Sequence, residues 1–374
     1  MIKYFEINSY SMKCRLYPNK SQEKRMNEIL DAIRVIWNKS LYDMIENKLW
    51  SKEKPDKKNE GEVVHFPDFN SLKKAENYNL YVTQDSRLKI IPKASLSSKA
   101  NSIYDAMKKA WETTGKYPIE KWGKYTTKDG KDEWHGVRYI GGRNTSSSFF
   151  FQSSSMKAIP NDDGNGYKKN VFRLTIPNIR HGKTGDEDYV SGEVKVRGLN
   201  KKLRFEDDLD FLQWIQKKPQ VSVRVTKDKC GDWYAVFNFV SCRKPMDVAE
   251  NGVVGVDVGE KTLATLDDGT KYDSVFDHCP ELKKMEKTSE YYNRRLSRSE
   301  GWKNIKFRER HKEDRTLKPS KTYARYDMKQ KELERRKTRI RKDYYHNVTA
   351  DLLRRGSVIG VEGLRVGDMF WQKE

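Results

Sequence analysis

The opening stretch "KYFEINSYSMKCRLYP" alternates polar and apolar positions until Pro18 stops it, which is the period of a β-strand. From Ser21, read as a helix N-cap, the stripe Met26, Ile29, Leu30, Ile33, Ile36, Trp37, Leu41, Met44 and Ile45 recurs at helical spacing and predicts a core-facing helix. Ser51 to Glu62 is charged, carries Pro55 and Gly61 and lacks an apolar period, so an exposed loop is expected there. A second helix is expected over Ala94 to Glu112, with Leu96, Ala100, Ile103, Met107, Ala110 and Trp111 inward. The stretches "SSSFFFQSSS", "NVFRLTIPNIR", "GEVKVRGLNKKLRF" and "PQVSVRVTKDKCGDWYAVFNFV" are short strand patterns separated by turn residues. They predict a β-barrel or sandwich, with a hairpin turn around Gly231.

Near Asn251 the pattern changes to "VVGVDVG", "TLATLDDG" and "KYDSVF", three strands in which the turn signal Asp267 to Gly269 predicts that the first two are antiparallel neighbours. Tyr326, Leu333, Ile340, Tyr344, Val348 and Leu352 then recur at spacings of seven and four, which predicts one long helix returning the chain to the sheet and capped by Gly356. "VIGV" is a further strand whose last step is Glu362.

Charge changes the picture most. The 374 residues hold 75 Lys and Arg against 54 Asp and Glu, a net +21 that favours a polyanionic partner. Residues 281–350 alone hold 23 basic and 11 acidic residues, with Tyr291, Tyr292, Trp302, Phe307, Tyr323, Tyr326, Tyr344 and Tyr345 interleaved. Such a segment can track phosphates and offer stacking faces, and Arg294, Arg295, Arg335, Arg336, Lys337, Arg339, Arg341 and Lys342 are its candidate nucleic-acid contacts. A solvated helical face is the alternative. The basic residues run around the helix instead of opposing one apolar face, which disfavours a membrane surface. Cys14, Cys230, Cys242 and Cys279 form no C-x-x-C pair, so neither a zinc ribbon nor a disulfide framework is expected. With no signal-peptide core and no apolar run of about 18 residues, a cytosolic protein is expected.

Two apolar strands each end in one acid, Asp257 and Glu362. A lone strand-end acid is often only a turn cap. As a pair they could meet at the edge of one sheet, where neighbouring carboxylates repel unless a divalent cation neutralises them. All-oxygen ligands suit Mg²⁺, and a basic nucleic-acid-binding chain has a use for it in phosphodiester cleavage.

"GVVGVDVGEKTLATLDDGT", the basic helix ending "RRKTRIRKDYYHNVTADLL", and "SVIGVEGLRVGDM" resemble the first and second RuvC motifs, with the bridging helix, of the transposon-encoded TnpB proteins and their type V CRISPR effector relatives. "SMKCRLYPNKSQEKRMNEILDAIRVIWNKSL" resembles that family's opening strand and first helix, and "SSSFFFQSSS" with "FRLTIPNIR" its wedge-domain strands. The resemblance implies a multidomain α+β / α/β chain. Residues 1–20 and 136–248 would form a β-barrel wedge domain, 21–135 an inserted helical recognition domain, and 249–374 an incomplete RNase H-like (RuvC) domain. It implies RNA-guided DNA cleavage with Mg²⁺, a structured guide RNA, and target DNA read beside a short motif. Asp257 matches the family's first catalytic aspartate and Glu362 its catalytic glutamate, both as metal ligands. The family's zinc-ribbon cysteines and final aspartate have no counterpart before Glu374, and Asp368 is too close to Glu362 to serve. The expectation is therefore either a portion of a longer nuclease or a natural truncation that binds guide RNA and DNA without cutting. A general basic nucleic-acid-binding protein is the reading outside the family.

The six histidines show no metal-ligand spacing, and His346 is expected to pack in the core. Asp163 to Gly166 reads as a loop without a following Walker lysine.

Overall fold

The structure is a computed structural model that describes residues 9–55, 63–114, 123–126, 132–135, 148–152, 156–162, 167–182, 189–197, 222–240, 252–259, 262–299 and 320–361. The chain divides into two compact units, Met1–Arg243 and Lys244–Glu374.

The first unit begins with β1 (Ser9–Tyr17) and α1 (Lys20–Glu46). The N-cap is Asn19, not Ser21: the Gln22 backbone N–H donates to Asn19 Oδ1 at 2.8 Å and the Asn19 N–H to Gln22 Oε1 at 3.0 Å. This reciprocal pair satisfies two of the donors a helix start leaves open. The Gln22 amide also donates to the carbonyls of Ser191 and Glu193, tying the helix start to a strand far along the chain. The anticipated loop after Ser51 begins instead as a strand, β2 (Ser51–Pro55), paired antiparallel with β3 (Val63–Pro67). The side chains of β2 are mostly exposed, so the strand left no apolar period to read. Short helical pieces follow: α2 (Phe69–Lys73), a 3₁₀ turn at Ala75–Tyr78, α3 (Asn79–Gln84) and another at Ser86–Ile90, then the long α4 (Lys93–Thr114).

The remaining strands are β4 (Gly123–Thr126), β5 (Asp132–His135), β6 (Ser148–Phe151), β7 (Met156–Pro160), β8 (Tyr167–Thr175), β9 (Glu193–Arg197), β10 (Ser222–Lys227) and β11 (Trp233–Val240). β4 and β5 form a separate hairpin. The others and β1 make one antiparallel sheet in the order β6-β10-β11-β1-β9-β8-β7. Among the described residues no ladder joins β6 to β7, so the strands anticipated as a barrel are present as a sheet with two edges. The β10–β11 turn at Gly231 has φ +89°, a conformation glycine adopts without steric cost. Met12, Cys14 and Leu16 of β1 share one core with Ile29, Ile33 and Ile36 of α1 and with Leu96, Ala100, Ile103 and Met107 of α4, so helices pack directly on the sheet.

The second unit holds β12 (Val253–Asp257), β13 (Thr262–Leu266), β14 (Lys271–Asp273), α5 (Val275–His278), α6 (Pro280–Ser299), α7 (Lys321–Arg355) and β15 (Val358–Val361). The sheet order is β14-β13-β12-β15. The Asp267–Gly269 turn joins β13 to β14, not β12 to β13, although β12 and β13 are antiparallel as expected. β15 pairs parallel with β12, and parallel neighbours need a crossover, which α5, α6 and α7 supply. Tyr344 and Val348 of α7 are buried against Val275, Leu282 and Met285, with Leu333, Ile340 and Leu352 half-buried beside them. Among the described residues no helix is long and apolar enough to cross a membrane.

Gly356 caps α7 as expected, with an extended backbone and its N–H donating to the Leu352 carbonyl at 3.2 Å. Its requirement for glycine is one of space. A Cβ there would lie 2.8 Å from Val254 Cγ2 and 3.1 Å from the Gly252 carbonyl oxygen. Gly252 itself has φ +131° and would clash with the Arg355 carbonyl oxygen at 3.1 Å. Through this contact the Val358 N–H reaches the Gly252 carbonyl at 3.1 Å and starts the parallel ladder. Gly356→Ala is expected to destabilise the second unit by about 1–3 kcal/mol through overpacking. Denaturant melts should show that Gly356→Ala/Val254→Ala loses less than the sum of its two single variants.

Candidate functional site

Asp257 is the last residue of β12 and is exposed. Val254 and Val256 point into a small core with Ala264, Leu266 and Ile359, and strand alternation turns Asp257 away from it. Its register partner on β13 is Thr265. Among the described residues its carboxylate has no hydrogen-bond or ion-pair partner. On the other side the parallel register runs Val253↔Val358, Val254↔Ile359, Gly255↔Gly360 and Val256↔Val361. The next residue on β12 is Asp257, and the residue after Val361 is Glu362, which lies outside the described residues, as does Asp368.

That register depends on where α7 ends, and a polar cluster pins the end. Arg355 Nε donates to Asp351 Oδ2 at 3.0 Å, while its Nη1 reaches Asp268 Oδ2 at 2.9 Å and Thr270 Oγ1 at 3.1 Å. The Tyr272 hydroxyl also donates to Asp351. The Tyr272 hydrogen bond, with help from Arg355, holds the Asp351 carboxyl below its ordinary range against the opposing effect of burial. Burial and the Asp351 charge push Tyr272 up to about 12. Sequence reasoning missed this cluster; its one local signal was Asp351 and Arg355 at the i, i+4 spacing of a helical ion pair.

The anticipated nucleic-acid contacts separate by environment. Lys337 is buried, its side chain 5% exposed, and lies 2.8 Å from both Glu286 and Glu334. Arg341 reaches Glu286 at 2.8 Å and Arg336 reaches Glu281 at 2.6 Å, so these three cations join α6 to α7. Arg295 lies over the Tyr291 ring, 5.4 Å from its centroid. Arg335 is half-buried and Arg339 exposed. Arg294 and Lys342 are exposed with no ion-pair partner among the described residues.

His346 is exposed, contrary to the expected core position; the helix face that packs carries Tyr344, which stacks on His278 at 4.4 Å. Among the described residues no three His, Cys, Asp or Glu side chains form a metal-holding group. Cys242 and Asp163 to Gly166 lie outside the described residues.

Two models of the IS605 OrfB family match the chain: one described as "Probable transposase" over residues 220–372, and one described as "Helix-turn-helix domain" over residues 10–48. The chain belongs to this TnpB-like family. A relative from Escherichia coli (strain K12), described as "Putative RNA-guided DNA endonuclease InsQ", is 27% identical over 207 residues, which are 54% of this chain and 46% of the relative. The chain spans about half the length of that relative. A solved structure, "Cryo-EM structure of the Cas12f1-sgRNA-target DNA complex", superposes over 95% of this chain and 81% of its own at 12% identity and a TM-score of 0.36, too low to carry a statement about fold or ligand. In this TnpB-like chain the helix-turn-helix match falls on a strand and a single helix, β1 and α1, whose apolar stripe is spent on the core. The transposase match spans β10, β11 and the whole four-stranded sheet with Asp257.

Burial opposes the Glu334 charge, but hydrogen bonds from Lys337 and Ser289 outweigh it and hold the carboxyl below its ordinary value. Asp351 is depressed likewise, so both acids contribute stability that is complete above about pH 5 and lost as pH falls through about 4 and below. Acid titration of the second unit followed by circular dichroism should show that loss, and Tyr272→Phe should shift it to higher pH. Lys337→Met is expected to cost about 1–2 kcal/mol in denaturant melts, less than a fully buried pair because Glu286 and Glu334 keep contact with water.

Proposed function

We propose that this TnpB-like chain is an RNA-guided DNA-binding protein whose sheet-end carboxylates, Asp257 and Glu362, serve DNA cleavage. The observation that carries the reading is the parallel β12–β15 register, which ends at Val256↔Val361, one residue before each acid. Continued by one step, it sets the two acids on neighbouring strands and on one face of the sheet. The exposed Asp257 carboxylate, at a strand end and without a partner among the described residues, fits the hard oxygen chemistry of Mg²⁺. Asp257 and Glu362 would hold the ion, which when bound activates water and stabilises the leaving oxygen of a phosphodiester. The chain's own contribution is to fix both acids on paired strands, so that little rearrangement is needed when the backbone of the substrate arrives.

In the same reading the guide RNA is bound as a structured transcript, base pairing chooses the DNA, and the protein reads only a short adjacent motif. The first unit corresponds to the wedge and recognition regions. Arg294 and Lys342, exposed and without an ion-pair partner among the described residues, contact phosphates, together with Arg335, Arg339 and Arg295 of the same basic segment. Lys337, Arg336 and Arg341 keep a supporting role by holding the helices that present the others.

Asp257→Ala and Glu362→Ala are each expected to lower Mg²⁺-dependent DNA cleavage by at least about a hundredfold while leaving RNA binding within a few fold, measured on the full-length protein with its copurified RNA. Undiminished cleavage in either variant would refute the assignment. Sequencing the copurified RNA should return one defined transcript. A random mixture, with no DNA cut, would instead favour a general basic nucleic-acid binder. Affinity for nucleic acid should also fall steeply with salt, with a log–log slope of several units.

A further inference from the structure

On α4, Ser95, Ser98, Lys99 and Ser102 fall at i, i+3, i+4 and i+7, a polar stripe beside the buried stripe of Leu96, Ala100, Ile103 and Met107. The polar stripe faces β6, an edge strand of the large sheet. The Ser95 hydroxyl accepts from the Phe150 N–H at 2.7 Å and donates to the Phe150 carbonyl at 2.6 Å, satisfying that edge. The rest of the stripe, with Arg224 of β10, lines a pocket of about 140 Å³. Small-molecule sites run to roughly 300–1,000 Å³, and a water occupies roughly 30 Å³. The pocket therefore has room for one compact group and not for a nucleoside.

Its charge is one-sided. Lys99 and Arg224 are its ionisable lining residues, and no Asp or Glu lines it. Among the described residues neither cation has an ion-pair partner; the Lys99 ammonium lies over Trp37, 4.8 Å from the ring centroid. Burial pushes the Lys99 ammonium below the ordinary lysine value, and no carboxylate offsets that cost. The Ser102 hydroxyl donates to the Ser98 carbonyl at 2.9 Å, a bond that a rotatable hydroxyl can exchange for a ligand oxygen.

We propose that this pocket is a phosphate site, in which Lys99 and Arg224 flank one phosphate group and the hydroxyls of Ser98 and Ser102 donate to its oxygens. Two cations and two hydroxyl donors match a compact, doubly accepting oxyanion better than a planar apolar group. The phosphate belongs to a nucleic-acid backbone or is free in solution. The site is separate from Asp257 and does not depend on the cleavage reading, so Asp257→Ala should leave it unchanged.

The test uses the full chain with Lys99→Gln, Arg224→Gln and the charge-keeping Lys99→Arg. The probes are inorganic phosphate, a mixed-sequence DNA duplex and a single-stranded RNA of the same sequence. If the phosphate is a backbone group, each Gln variant lowers the slope of log affinity against log salt by about 0.9 on the duplex or about 0.7 on the single strand, while Lys99→Arg keeps it. If it is free, inorganic phosphate raises the melting temperature of the native chain and not of the Gln variants. Unchanged slopes together with no phosphate-dependent melting shift would overturn the proposal. Arg224 is exposed, so its variant carries the test even if Lys99→Gln folds poorly.

Discussion

The contact between Gly252 and Gly356 governs the second unit. Parallel strands cannot be joined by a tight turn, so the chain must leave β12, pass through a hairpin and three helices, and return in register. A return displaced by one residue would move the valines of β15 to the opposite face of the sheet. Two glycines permit a backbone approach that a Cβ on either would crowd, and the Arg355 cluster fixes the helix end that leads into it. Precision at the sheet end thus originates at the opposite end of the strands.

Charge in this chain does two kinds of work. Part of the basic excess is spent within the protein itself. Lys337, Arg341 and Arg336 hold α6 against α7 through Glu286, Glu334 and Glu281, because helices with few apolar positions need polar contacts to pack. Lys337 is the extreme case: it is nearly dry and kept charged by two carboxylates. Lys99 is the opposite case, a half-buried cation over an aromatic ring with no acid beside it among the described residues.

Periodic elements were legible in the sequence because burial on one face imposes a pattern. The stripes of α1, α4 and α7 and the strands from β8 to β13 follow that rule. Elements without a buried face were not legible: β2 exposes most of its side chains. Local signals also misassigned partners. The Asp267–Gly269 turn is a true turn, but it closes β13 onto β14, and turn chemistry does not name the strands it joins. His346 was expected inside because it lies on the long helix close before the Glu362 strand, whereas it stands two residues from Tyr344, about 200° around the helix, and of the two only Tyr344 packs.

The sequence by itself determined the periodic elements, the strand ending in Asp257 and the excess of basic residues, since these follow from residue type and local period. Tertiary structure alone decided that β1 lies between β11 and β9, that β15 runs beside β12 in its observed register, and which cations are spent on the protein itself. Those outcomes depend on backbone groups and side chains far apart in the chain meeting at contact distance, and no local pattern encodes which distant groups will meet.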